Sequence, residues 1–149
     1  CPGQRYQIAP LTAGMDVEVV DLDHVAFRVS ELEAALAFYH DQLGLPIRDR
    51  ARYDCGDVPF VALAAGGRHL HLFPVEDDTI DVGNDHLCLL LRSDAVDTEA
   101  ALRSYLDELE GNGVTVEPDE PHARVGAYGR DWAAYVRDPD GRIVELKFH

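Results

Sequence analysis

A chain of 149 residues has room for one domain with a sizeable core, or for two small modules that share one. A formal net charge of −15 argues against nucleic-acid binding, which needs a basic face to release counterions. Apolar runs are too short for a transmembrane helix or a secretory signal, and three scattered cysteines form neither a disulfide framework nor a thiolate zinc site, so a reducing cytoplasm is expected. Lys147 is the only lysine, and the acids are spread along the whole chain. That pattern fits a surface adapted to a salty cytoplasm, where dense charge keeps a protein hydrated and short-range screening mutes self-repulsion; a cationic partner is the other reading.

Residues 1–14 show no helical or strand period and precede the only methionine, Met15, so they are expected to be a leader or tag. Leu22–Val29 is rich in β-formers and reads as a strand. Ser30-Glu31-Leu32-Glu33 has the spacing of a capping box, and Leu32, Ala35, Leu36, Tyr39 and Leu43 follow at helical intervals. Gly44 and Pro46 stop that helix. Ile47–Tyr53, Val58–Leu63 and Arg68–Val75 read as three strands, with a turn at Gly66-Gly67. The first module, 20–75, is therefore βαβββ, and 76–84 is an acidic linker. The second module, 85–149, repeats the order. It has a strand over Asp85–Leu91, a helix over Thr98–Glu110, and strands over Val114–Glu117, Trp132–Val136 and Arg142–Phe148. Residues 118–130, with Pro121, Gly126 and Gly129, read as a longer loop.

The two halves also match in detail. Asp23-His24-Val25 corresponds to Asp85-His86-Leu87, and Gly67-Arg68-His69-Leu70-His71-Leu72 aligns without a gap on Gly141-Arg142-Ile143-Val144-Glu145-Leu146. Taken alone, each of these histidines is an ordinary polar residue on a half-buried strand. The shared register pairs His24 with His86 and His71 with Glu145, and unrelated residues have no reason to fall at matched positions. Three imidazoles and one carboxylate suit Zn, Ni, Co, Fe or Mn as a divalent ion, with coordination positions left open for substrate. His69 lies on the same strand face as His71 and competes with it as the ligand. Tyr135, ten residues before Glu145, is a candidate to orient a substrate oxygen, or a core aromatic with a satisfied hydroxyl. Arg48, Arg50 and Arg52 form a basic stripe on one strand, read as a solvated face. Cys88 reads as a buried thiol, and His40, His122 and His149 as surface residues.

These residues resemble the vicinal oxygen chelate superfamily, which includes glyoxalase I, extradiol dioxygenases, fosfomycin-resistance enzymes, methylmalonyl-CoA epimerase and bleomycin-resistance proteins. The carrying motifs are Asp23-His24-Val25, Phe38-Tyr39…Leu43-Gly44-Leu45, Asp85-His86-Leu87 and Tyr135-Val136-Arg137-Asp138-Pro139-Asp140-Gly141…Glu145-Leu146, and the resemblance covers roughly residues 20–148. It implies an α+β fold of two tandem βαβββ modules related by a pseudo-twofold axis, each forming half of a metal-binding cup. His24, His86 and Glu145 match the most widely shared ligand positions, and His71 matches the fourth.

Departures from the family patterns narrow the activity. The extradiol pattern has a His a few residues before Tyr135, where this chain has Ala127-Tyr128-Gly129-Arg130. The fosfomycin pattern needs a Lys where Val125 stands, and an Arg beyond the last residue. Bleomycin-binding members generally lack the metal set. The resemblance therefore implies a glyoxalase- or epimerase-like lyase/isomerase for a small substrate that chelates the metal through neighbouring oxygens. Glu145 would serve as base as well as ligand, and two chains would pair as a homodimer. An extradiol Fe(II) dioxygenase is the first alternative, and a non-enzymatic drug-binding protein the second.

Overall fold

The computed structural model describes residues 17, 19–76, 80–118 and 121–149, so the expectation for residues 1–14 lies outside the described residues. Two sheets organise the chain. In the first, β1 (His24–Val29), β4 (Arg68–Pro74), β3 (Val61–Ala65) and β2 (Ile47–Arg48) lie side by side in that order. In the second, the order is β5 (His86–Leu91), β9 (Ile143–Phe148), β8 (Gly129–Arg137) and β6 (Thr115–Val116), and β7 (His122–Gly126) also pairs with β8. The first strand of each half runs parallel to the last strand of that half, and the other pairings are antiparallel.

Strand register carries the sequence repeat into space. His24 lies opposite His69, and His86 lies opposite Ile143, which holds the place of His69 in the second Gly-Arg motif. The residues that alternate with these, Val29, Leu70, Leu72, Val144 and Leu146 among them, join the buried side of helix α3 (Thr98–Gly111) in one hydrophobic cluster that spans both halves. On the other faces His24, Ala26 and Arg28 of β1, and His86, Cys88 and Leu90 of β5, remain exposed. Asp97 caps α3, its Oδ1 accepting from the Ala100 N–H at 3.0 Å, and Leu102, Leu106 and Leu109 form its buried stripe. Among the described residues, no helix is long and apolar enough to cross a membrane.

Four local expectations are corrected. The capping box does not form: Ser30 turns its N–H and hydroxyl to the Asp140 carboxylate of the other half, and Glu33 instead accepts from Arg50 Nη2 at 2.9 Å. The first helix, α1, is regular only over Leu32–Leu36 and continues as a π-helical segment over Ala37–Gln42. Within that segment Tyr39 is fully buried and donates to Asp138 Oδ2 at 2.7 Å, a tertiary contact that offsets the poorer hydrogen-bond geometry of a π turn. Ile47–Tyr53 is not one strand. Asp49 adopts the left-handed region (φ 53°), which ends β2 and starts the short helix α2 (Arg50–Asp54). The arginines of the supposed stripe are consequently split, with Arg50 bonded to Asp54 and Glu33, and Arg52 bonded to Asp57. Finally, much of 118–130 is strand: β7 and β8 form a hairpin closed at Gly126↔Gly129.

The halves are joined by polar contacts around one turn. Asp138 Oδ2 accepts from Arg142 Nη1 at 2.7 Å as well as from Tyr39, and Arg142 Nη2 donates to the Arg28 carbonyl at 2.9 Å. The Arg142 guanidinium also lies 4.2 Å from the Phe27 ring centroid. Asp138 and Arg142 are both buried, so each charge depends on the other and on these hydrogen bonds.

Candidate functional site

Strand alternation places each ligand-type side chain on the face of its sheet that points away from the shared core. In the first half, His24 begins β1 and His71 lies in β4, opposite Ala26. Their rings stack at 4.2 Å with planes 15° apart. Phe60, just before β3, covers the other face of His71 at 4.1 Å and 9°, and itself packs on Phe73 at 4.9 Å. His71 is thus the middle ring of three. Burial, the largest influence, lowers its pKa below the ordinary histidine value, and the neighbouring His24 and His69 act in the same direction. His24 Nδ1 lies 2.6 Å from Asp23 Oδ1, which leaves Nε2 as the nitrogen available to a ligand. The same hydrogen bond holds the Asp23 carboxyl below its usual range. His69, level with His24, stands 6.0 Å from His71 between ring centroids and outside the stack.

In the second half, Glu145 of β9 is flanked by Cys88 of β5 and Tyr135 of β8, each directly opposite it. The turn between β8 and β9 therefore keeps Tyr135 and Glu145 on one face. His86 Nε2 lies 3.0 Å from Glu145 Oε2, and Tyr135 meets the His86 ring edge-on at 5.7 Å. Glu145 is only 6% exposed, so its carboxylate depends on these neighbours for polar contact. Cys88 is exposed at the surface rather than buried as expected, yet partial desolvation by its neighbours, followed by the adjacent carboxylate, pushes its thiol up to about 11. His40, by contrast, bonds the Leu45 carbonyl through Nδ1, and His149 packs on Tyr128; neither approaches this group.

Two pairs result, His24 with His71 and His86 with Glu145. Among the described residues, no group of three His, Cys, Asp or Glu side chains converges on one point in a single chain. A cleft of about 390 Å³ runs beside β1, with Ala26, Phe27, Arg28, Asp85, His86 and Arg142 in its walls. His86 borders it, whereas His24, His71 and Glu145 are not in its lining.

The chemistry of the second pair fits a divalent ion. His86 Nε2 and Glu145 Oε2 lie 3.0 Å apart, an ordinary hydrogen-bond distance, and an imidazole nitrogen with a carboxylate oxygen is a donor set that divalent ions accept. The first pair fits in donor type, but parallel imidazoles point their lone pairs side by side. His24, at the open end of the stack, must turn for both rings to reach one ion.

The family description "Glyoxalase/Bleomycin resistance protein/Dioxygenase superfamily" matches residues 21–146, a span that takes in both pairs. This chain belongs to that superfamily. Virulence protein STM3117 of Salmonella typhimurium is 24% identical over 135 residues, covering 84% of this chain and 81% of that protein. An integron cassette protein from the mobile metagenome of V. cholerae shares the fold with a TM-score of 0.66 at 25% identity, covering 89% of this chain and 98% of its own. Lactoylglutathione lyase from Agrobacterium tumefaciens gives a TM-score of 0.58 at 25% identity over 86% of this chain and 92% of its own. The glyoxalase fold accounts for the two matched sheets.

Sequence reasoning missed three participants. Phe60 sits outside any periodic strand signal. Asp23 is visible in the Asp-His dipeptide, but the dipeptide occurs in both halves and does not itself say that the aspartate bonds the His24 ring. Lys147 shows no sequence sign of burial.

Proposed function

We propose that this chain is a divalent-metal-dependent lyase or isomerase of glyoxalase or epimerase type, acting on a small substrate that presents two neighbouring oxygens. The His86–Glu145 pair carries the reading: it brings two ligand-type side chains into direct contact, at positions whose counterparts in the other half are His24 and His71. His24, His71, His86 and Glu145 would hold Zn, Ni, Co, Fe or Mn, and the ion would supply Lewis-acid polarisation of the substrate oxygens. Similarity to lactoylglutathione lyase supports the reaction class.

Each side chain then has a task. The Glu145 carboxylate takes a proton from the carbon α to the substrate carbonyl and returns it to the adjacent carbon on the same side. His86 orients that carboxylate. The Tyr135 hydroxyl, on the same face, donates to a substrate oxygen and fixes the substrate against the base. Asp23 holds His24 in the tautomer that presents Nε2.

The site is completed by a second copy. The cores of both sheets are spent on one shared cluster, while the faces bearing His24 and His86 stay open. A homodimer that sets the first half of one chain against the second half of its partner brings the pairs together and covers those faces. The acidic chain, in which Cys55 and Cys88 are free thiols, is proposed to work in a reducing, salty cytoplasm.

Metal analysis of protein purified without added metal tests this. Stoichiometric Zn, Ni or Co, reduced in His86→Ala and Glu145→Gln, is expected, with no O₂ uptake on catechols. Tyr135 beside a two-His, one-Glu set is also the arrangement of the ring-cleaving reading, and bound Fe²⁺ with catechol-dependent O₂ uptake would transfer the assignment to it. No stoichiometric metal, together with uptake unchanged in both variants, overturns the metalloenzyme account and leaves a drug-binding module.

A further inference from the structure

Lys147 is the one lysine of a chain carrying a net charge of −15, and it is only 5% exposed. It follows Glu145 by two residues on β9 and so shares its face, between Leu90 of β5 and Ala133 of β8. Among the described residues no carboxylate pairs with it. Its Nζ donates instead to two main-chain carbonyls, those of Arg124 in β7 and of Asp131 in β8, the latter at 3.0 Å. Arg124 and Asp131 oppose each other in the hairpin, so one ammonium ties both strands at a single rung. Room for the stem is provided by Gly126, where a Cβ would stand 2.7 Å from Lys147 Cε. Burying a lysine is costly unless its hydrogen-bonding demand is met, and packing alone would be served by a methionine or leucine.

The tied rung leads back to the site. The Arg124 guanidinium lies over the Tyr135 ring at 5.5 Å, Tyr135 meets His86 edge-on at 5.7 Å, and His86 contacts Glu145 at 3.0 Å. Glu145 and Lys147 share a strand, so these contacts close into a ring. At the position matching Lys147 the first half has Phe73, packed on Phe60.

We propose that Lys147 is a positioning residue of the second half-site. Its buried ammonium pins the β7–β8 hairpin to the sheet, and the pinned hairpin holds Arg124 against Tyr135 and thereby sets the placement of Tyr135 and His86 beside Glu145. The functional meaning rests on the metal-site reading above, but the test uses metal-free protein and stands apart from it.

Lys147→Met keeps the stem and removes the donors. Hydrogen exchange followed residue by residue should speed up in 122–126 and 129–133 by at least roughly 10- to 100-fold, the worth of one charged hydrogen bond, while α3 keeps its protection. Trp132, the only tryptophan, should become more open to acrylamide, and the ring resonances of His86 and Tyr135 should shift. If Lys147→Met does not fold, Gly126→Ala, which displaces the stem with the lysine retained, should produce the same local pattern. Unchanged hairpin exchange in the folded variant overturns the proposal, as does an equal rise over the whole molecule. A loosened hairpin with unmoved His86 and Tyr135 resonances overturns it too, by reducing Lys147 to a fold support.

Discussion

The two halves of this protein share a strand register and differ in what they do with it. In the first half, His24 and His71 meet ring to ring, and Phe60 covers the remaining face of His71. In the second, the matched positions hold His86 and Glu145, which meet nitrogen to oxygen at 3.0 Å with Tyr135 alongside. One half offers a stack of rings with His24 at its open end; the other offers a buried carboxylate with His86 and Tyr135 beside it. The turns differ as well. Arg68 of the first Gly-Arg motif pairs with Asp21 at the surface, whereas Arg142 of the second is buried against Asp138 and joins the halves. The shared register thus fixes where side chains point, and the different residues at matched positions give the two halves different contacts.

The turns give the largest predicted contrast. Asp138→Ala leaves the buried Arg142 charge without its carboxylate and should cost about 3–5 kcal/mol of unfolding free energy. Breaking the surface pair by Asp21→Ala should cost far less, because an exposed, solvent-screened ion pair contributes little. Denaturant unfolding of both variants compares them, and similar losses would erase the asymmetry. The ligand pairs come next. Glu145→Gln should weaken metal binding by more than the roughly 100-fold that outer-sphere partners are worth, and His71→Gln, which removes a ring already held between two others, should weaken it less. Competition with a chromophoric chelator measures both, and the reverse order would shift the weight of the site to the first half.

Chemistry at Cys88 sharpens the picture of the second half. A thiol raised from 9.0 to about 11 holds about a hundredfold less thiolate near neutral pH, so alkylation of Cys88 should be about that much slower in the folded protein than after denaturation. Equal rates would mean that the thiol does not feel partial desolvation or the Glu145 carboxylate. The smallest effect belongs to the first half. The folded-state pKa of His71 is depressed, so the unfolded chain binds the proton first. Stability should therefore be full above about 6.5, the unfolded value, and should fall as the pH drops below it. His71→Phe should flatten that slope, seen as a smaller loss of melting temperature between pH 7 and pH 5.5.

Much of this arrangement was legible in the sequence because strand geometry is strict. Once Gly67-Arg68 aligns on Gly141-Arg142, a period of two fixes which residues share a face, and the observed pairings of His24 with His69 and of His86 with Ile143 follow that alignment. Tyr135 opposite Glu145 needed one further fact, the tightness of the Asp138–Gly141 turn. The failures were of another kind. Arg48 to Arg52 alternate like a strand, yet a single left-handed residue at Asp49 and short-range pairs to Asp54 and Asp57 make a helix there. Gly126 and Gly129 look like loop residues, but they close the β7–β8 hairpin, and Gly126 also clears space for Lys147. The stack on His71, the tie at Asp138 and the burial of Lys147 all join residues far apart in the chain. No local pattern records such contacts.

The central claim is that one metal site needs the His24 half of one chain and the Glu145 half of another. Mixing His24→Ala chains with Glu145→Ala chains under conditions that exchange subunits tests it directly. Each variant alone should bind little metal, while the mixed dimer should recover one intact site, seen as up to one tightly bound ion per heterodimer by equilibrium dialysis. A mixture that binds no more metal than its two components would contradict the shared site.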